Sequence, residues 1–156
     1  MALLLVQHGK CLSKEEDPER SLSEEGVDDV CRIADVAEAY EVYVPRIVHS
    51  GKKRSRETAK MFAAVLTPSD GIDEIEGINP MDNVSDFAET IDPNEDLMIV
   101  GHLPFMGRLV AHLVGGTPDA DTVSFEPGTV VCLKKGEEGN WSLHWMLRPS
   151  LLGEPL

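Results

Sequence analysis

Positive charge is scarce in this sequence: 14 lysines and arginines stand against 28 aspartates and glutamates, a net charge of −14 over 156 residues. So acidic a chain repels phosphate backbones and anionic lipid headgroups over most of its surface, which argues against nucleic acid and against membrane as partners. Cysteine is scarcer still. Cys11, Cys31 and Cys132 are odd in number and far apart, with no CxxC pair, so neither a disulfide framework nor a zinc knuckle is expected; they read as reduced thiols in or near the core. Long apolar runs are missing too. The run from Ala2 to Val6 is too short for a signal-peptide core, follows no basic segment and gives way at once to polar residues, so the expectation is a cytoplasmic protein without a membrane span.

What the chain does have is enough hydrophobic residues, 42%, for one domain over residues 1–156, large enough to bury about two-thirds of its unfolded surface. Short apolar runs at Ala2–Val6, Arg46–Val48, Ile72–Ile75 and Leu97–Val100 alternate with segments of helical period. That alternation predicts an α/β layer fold with a mainly parallel sheet. Helices are expected from Ser23 as N-cap, with Val27, Val30, Ile33, Ala34, Ala37 and Tyr40 on the apolar face, from Lys52 to Leu66, from Asn83 to Thr90, and from Pro104 to Val114 before Gly115-Gly116. Val123–Leu133 and Trp141–Leu147 are expected to form an edge hairpin joined through KKGEEGN.

Three of these strands end in residues with chemical use: LLLVQHG in His8, RIVHSG in Ser50 with Arg54 a turn later, and LMIVGHLP in His102. In a parallel α/β sheet the carboxyl ends of the strands share one edge, and ligands bind in the crevice outside it. Five of the 14 basic residues, Lys52, Lys53, Arg54, Arg56 and Lys60, fall within nine positions, a local concentration that suits a small anion. Lys52, Arg56 and Lys60 form one stripe at i, i+4 and i+8, which reads as solvated, whereas Arg54 aligns with Thr58, Met61 and Phe62 on the face that meets the sheet. Arg54 is therefore the expected ligand arginine. His102 precedes a helix whose first N–H groups and dipole favour an anion.

Two histidines, an arginine and a helix N-terminus around one pocket suit phosphoryl transfer without a metal. GKKRS lacks the glycine and the GK[ST] ending of a phosphate loop. Neither Cys11 nor Cys31 stands five residues before an arginine, and no HExxH-like pair exists among His8, His49, His102, His112 and His144. His49, His112 and His144 read as structural.

These motifs together resemble the histidine phosphatase superfamily, and within it the short SixA-type protein phosphohistidine phosphatases. QHG at 7–9 resembles the RHG of that family; DPERSLSEEG at 17–26 resembles D..RPLT..G; HSGKKRSRETA at 49–59 resembles SP..R..QTA; and GHLPFMGRLVAHLVG at 101–115 resembles its GHxP segment. The resemblance implies a three-layer α/β/α, phosphoglycerate mutase-like fold, no cofactor, His8 as nucleophile, and Arg54 and His102 as phosphate ligands. It implies a phosphohistidine-bearing protein as substrate, or a small phosphorylated molecule. A module that binds phosphate with little turnover is the other reading.

Of the loop carboxylates Glu15, Glu16 and Asp17, Asp17 is the candidate general acid; a cap, or a partner for Arg20, is its alternative role. Gly51 stands where the family has proline and Gln7 where it has arginine. The glutamine keeps an N–H donor for a phosphoryl oxygen but loses the charge and the bidentate fork. Lys10, Lys52 and Lys53 are the candidates to restore that charge.

Overall fold

The computed structural model describes residues 1–153. Its sheet has the order β3-β2-β4-β1-β5-β6, with β1 Ala2–Gln7, β2 Ile47–His49, β3 Ile72–Glu74, β4 Leu97–Gly101, β5 Val130–Lys135 and β6 Trp141–Leu147. The first four strands are parallel and the last two antiparallel. Helices α1 (Glu24–Ala39), α2 (Lys53–Leu66), α3 (Val84–Ala88) and α4 (Phe105–Gly115) follow β1, β2, β3 and β4 respectively, and a 3-10 turn covers Pro149–Leu152.

Side-chain alternation along β1 divides the core in two. Leu4 and Val6 join Val30 and Ile33 of α1 and Phe62 of α2 in one apolar cluster. Leu3 and Leu5 join Phe105, Met106 and Leu109 of α4 and Phe87 of α3 in the other. The result is the expected α/β/α sandwich. Leu3, Leu4, Leu5 and Val6 are all at most 2% exposed, and each such burial is worth about 1.5–3 kcal/mol. The strand that carries His8 at its end is thus fixed in the middle of the sheet, between β4 and β5.

The helix signals act as expected, with small differences at the ends. Ser23 caps α1 by accepting the Gly26 N–H at 3.0 Å, and Gly116, at φ +82, closes α4. Val27 and Tyr40 are exposed rather than core residues, because Val27 lies at the margin of the apolar stripe and the helix ends before Tyr40. The third helix is shorter than predicted and ends at Ala88. Cys31 is exposed, not near-core, and all three cysteines are free. No helix among the described residues is long and apolar enough to cross a membrane.

One expectation fails over seven residues. The strand predicted from Val123 begins only at Val130, because Pro127 has no N–H to give to a ladder and Gly128 takes φ +87. The Gly128 N–H is instead shared between the carbonyls of Gln7 and His8, at 3.0 and 3.2 Å. The segment therefore turns across the end of β1 before joining the sheet.

Close backbone approach fixes the other side of the same loop. A Cβ on Gly26 would lie 2.0 Å from the Lys10 carbonyl oxygen, and one on Gly9 would lie 2.7 Å from Val30 Cγ2. Helix propensity alone predicts that Gly26→Ala gains up to about 1 kcal/mol. The backbone clash opposes it and dominates, so the substitution is expected to destabilise by about 1–3 kcal/mol. Urea denaturation of the two proteins checks the sign, and a more stable alanine variant contradicts the packing described.

Candidate active site

Strands β2, β4 and β1 are neighbours and parallel, so their carboxyl ends form one edge. His8 follows β1 and donates its backbone N–H to Gly101 at 3.0 Å. His102 follows β4, and Ser50 follows β2. The His8 and His102 rings meet with centroids 5.1 Å apart and tilted by 54°. Residues about fifty positions apart in sequence thus meet at one place, as the strand ends predicted. A cavity of about 610 Å³ opens there, walled by Gln7, His8, Arg54 and His102 together with Lys10, Cys11, Arg20, Glu25, Pro80 and Pro127.

The charge state of His8 follows from its surroundings. Its Nδ1 lies 2.7 Å from the Gly9 carbonyl; since a carbonyl only accepts, Nδ1 carries the proton and Nε2 keeps its lone pair. Burial, then the positive charges of Arg54 and Arg20, outweigh that hydrogen bond and lower its pKa to about 4. His102, 1% exposed, is lowered to about 3 by burial, then by His8 and Arg54. Its Nε2 is 2.6 Å from Ser50 Oγ, which also contacts Ser55 Oγ at 3.0 Å. Both rings are neutral at pH 7.

Arg54 sits on the inward face of α2, where its spacing placed it. Thr58 and Phe62 on that face are buried, while Lys52, Arg56 and Lys60 are exposed. Thr58 joins the two halves of the site: its Oγ1 accepts the Gly9 N–H at 3.0 Å and donates to the Arg54 carbonyl at 2.8 Å. Burial, then Arg20, lowers the Arg54 pKa, though a guanidinium stays charged at any working pH. Of the six buried polar side-chain atoms without a protein partner among the described residues, three lie in this wall: Gln7 Oε1, Arg54 Nε and His102 Nδ1. Their concentration marks this cavity as the one prepared for a polar ligand. A larger cleft of about 850 Å³ near α3 is lined by Asp82, Asp86, Asp92 and Glu95, which would repel a phosphate.

Asp17 is outside the cavity wall. Its carboxylate accepts from Ser21 Oγ, from the Ser21 N–H at 3.1 Å and from the Glu19 N–H at 3.0 Å, and these bonds hold its pKa near 2. These are the bonds of a turn cap, the alternative role expected for Asp17; it makes no ion pair with Arg20. Gly51, at φ +88 and with its N–H donated to His49 Nδ1 at 3.0 Å, holds a backbone that proline cannot adopt. His49 has the structural role expected of it. Arg20, expected only as a possible partner of Asp17, lines the cavity wall.

No family model matches the chain. Phosphohistidine phosphatase SixA of Escherichia coli (strain K12) is 25% identical over 157 residues, covering 96% of this chain and 94% of that protein. The chain is similar to that phosphatase over nearly its whole length. The solved structure of the protein histidine phosphatase SixA complexed with tungstate matches this chain with a TM-score of 0.81 at 22% identity, over 97% of this chain and 99% of that one. The alpha-ribazole phosphatase from Shigella flexneri matches with a TM-score of 0.78 at 12% identity, over 96% and 97%. The fold these proteins share is the phosphoglycerate mutase-like α/β fold.

Histidines whose pKa falls on folding take up protons in the unfolded chain first. Between pH 6.5 and about 4 the unfolded state holds more protons at His8 and His102, so stability decreases as pH is lowered through that window. Ring C–H resonances of both histidines are expected to show no titration at pH 6.5, and the urea midpoint to be lower at pH 5 than at pH 7. A midpoint near pH 6.5 for either ring contradicts the burial described.

Proposed function

We propose that this chain is a phosphohistidine phosphatase acting on a phosphorylated protein. The observation that carries the reading is the neutral His8 imidazole, with Nε2 free, beside the unpaired guanidinium of Arg54 in an open cavity. In this reading His8 Nε2 attacks phosphorus in line, a bond from Nε2 to phosphorus forms, and the substrate's P–N bond breaks. Arg54, His102 and the Gln7 amide hold the phosphoryl oxygens, aided by the N–H groups at the start of α4. The departing imidazole takes its proton from solvent. Water then cleaves the Nε2–phosphorus bond, releasing phosphate and restoring His8.

The substrate class follows from what the site has and lacks. Imidazole, with a free-ring pKa near 6.5, leaves far more readily than an alkoxide, and Asp17 is already ionised. Phosphoramidates are therefore favoured over phosphomonoesters. A SixA complexed with tungstate, a tetrahedral oxyanion like phosphate, supports the kind of ligand assigned. Three free cysteines suit a reducing compartment, and the cytoplasm is where we place the chain.

His8→Ala is expected to abolish hydrolysis of a phosphohistidine protein while leaving the melting temperature close to the parent's; turnover at the parent rate rules the mechanism out. Since arginine charge does the electrostatic work, dialysis against EDTA should leave the rate nearly unchanged. Loss with recovery on added magnesium or zinc would instead make it a metallohydrolase. A well-placed donor to a transition-state anion is worth roughly two to three orders of magnitude in rate, and glutamine retains part of that. Gln7→Arg should thus raise kcat/KM on phosphohistidine, and proportionally more on a phosphomonoester. A parent no faster than His8→Ala, with no gain from Gln7→Arg, would leave the pocket as a binding site only.

A further inference from the structure

Gln7 leaves the pocket one guanidinium short of the pattern the chain resembles, and the nearby lysines do not make up the difference. Lys10 lines the cavity but is bonded to Glu25. Lys53 is paired with Glu19 at 3.1 Å, and Lys52 is exposed at the α2 N-cap. Arg20 is the remaining cation in the wall. Among the described residues, three arginines are at least partly shielded from solvent without a carboxylate at ion-pair distance: Arg20, Arg54 and Arg108. In a chain with 28 acidic and 14 basic residues an unpaired guanidinium is conspicuous, and two of these three line one cavity.

The segment around Arg20 is built to aim it. Arg20 takes φ +53, a left-handed conformation uncommon for a side chain of its size and frequent at functional positions. The Asp17 carboxylate holds the turn by accepting from Ser21, the Leu12 N–H bonds to the Ser21 carbonyl at 2.8 Å, and Arg20 donates its own N–H to the Asp17 carbonyl at 2.9 Å. The guanidinium is steadied on one side only, by Nε to the Leu12 carbonyl at 3.3 Å and Nη2 to Cys11 Sγ at 3.4 Å. Its other donors remain for a ligand. Its charge reaches His8, Arg54 and His102 alike.

We propose that Arg20 is the second phosphoryl-binding guanidinium of this site, delivered by the 17–21 turn to the same cavity as Arg54. The inference rests on the phosphatase reading for the ligand's chemistry, but its test reads binding alone. Inorganic phosphate is titrated calorimetrically into the parent, Arg20→Asn, Arg20→Lys and the double variant Gln7→Arg/Arg20→Asn. Asparagine is chosen because it tolerates the left-handed backbone. Loss of a charged hydrogen-bond donor is expected to weaken phosphate binding about tenfold to a hundredfold in Arg20→Asn. Arg20→Lys should lose less, and Gln7→Arg should restore most of the affinity in the double variant.

A parent that binds no phosphate, or an Arg20→Asn variant that binds it as the parent does, overturns the proposal. So does a loss that Gln7→Arg leaves unrestored, since the turn's shape rather than its charge would then matter. If Arg20→Asn does not fold, Arg20→Lys decides: parent affinity overturns the proposal and a partial loss supports it. Phosphate binding that depends on Arg20 in a chain without phosphohistidine turnover would sink the phosphatase reading and leave this one standing.

Discussion

Two guanidinium groups with no carboxylate to balance them, Arg20 and Arg54, face two imidazoles in one partly desolvated cavity. Four protonated groups in that space would repel one another strongly. Burial resolves the conflict by keeping His8 and His102 neutral, which in the proposed reaction leaves the arginine charge for an anion and the His8 lone pair for phosphorus. Much of the surrounding structure holds this arrangement in place. The central strand carries His8, Thr58 ties its loop to Arg54, and the Gly128 N–H fastens the strand end from the other side.

The same constraint shapes the chemistry. A site that gathers positive charge and holds its nearest turn carboxylate ionised can stabilise a phosphoryl group but offers little help to a poor leaving group. An imidazole leaving group needs little. Glutamine at position 7, where the resembled pattern has arginine, lowers the positive charge of the pocket further, in keeping with the labile P–N bonds proposed as substrates. Arg20 adds positive charge to the same cavity, and the turn that Asp17 caps carries it there.

What the sequence made legible was periodic or terminal. Alternating burial along β1, the apolar face of α2 that singled out Arg54, and polar residues at three strand ends were readable because each depends on local spacing. The diversion at Glu126–Gly128 was not, since the apolar Val123 and Phe125 imitate a strand and only the long-range bonds to Gln7 and His8 reveal a turn. The bonding of Asp17 was hidden for a related reason: it depends on hydrogen bonds within a turn that composition does not display. Arg20 stood in a quoted motif, yet its entry into the cavity requires a positive φ that no propensity assigns to arginine. The positive φ at Gly51 was likewise invisible, although glycine itself permits it.

The central claim is that phosphorus is transferred to one nitrogen of one histidine. Rapid quenching of the protein with a 32P-labelled phosphohistidine substrate, followed by digestion under alkaline conditions and analysis of the labelled peptide, locates that atom. The account predicts an acid-labile, base-stable label on Nε2 of His8, because Nδ1 is occupied by the Gly9 carbonyl. Label on Nδ1, on His102 or on any other residue would contradict it, as would phosphate release with no covalent intermediate in a single turnover.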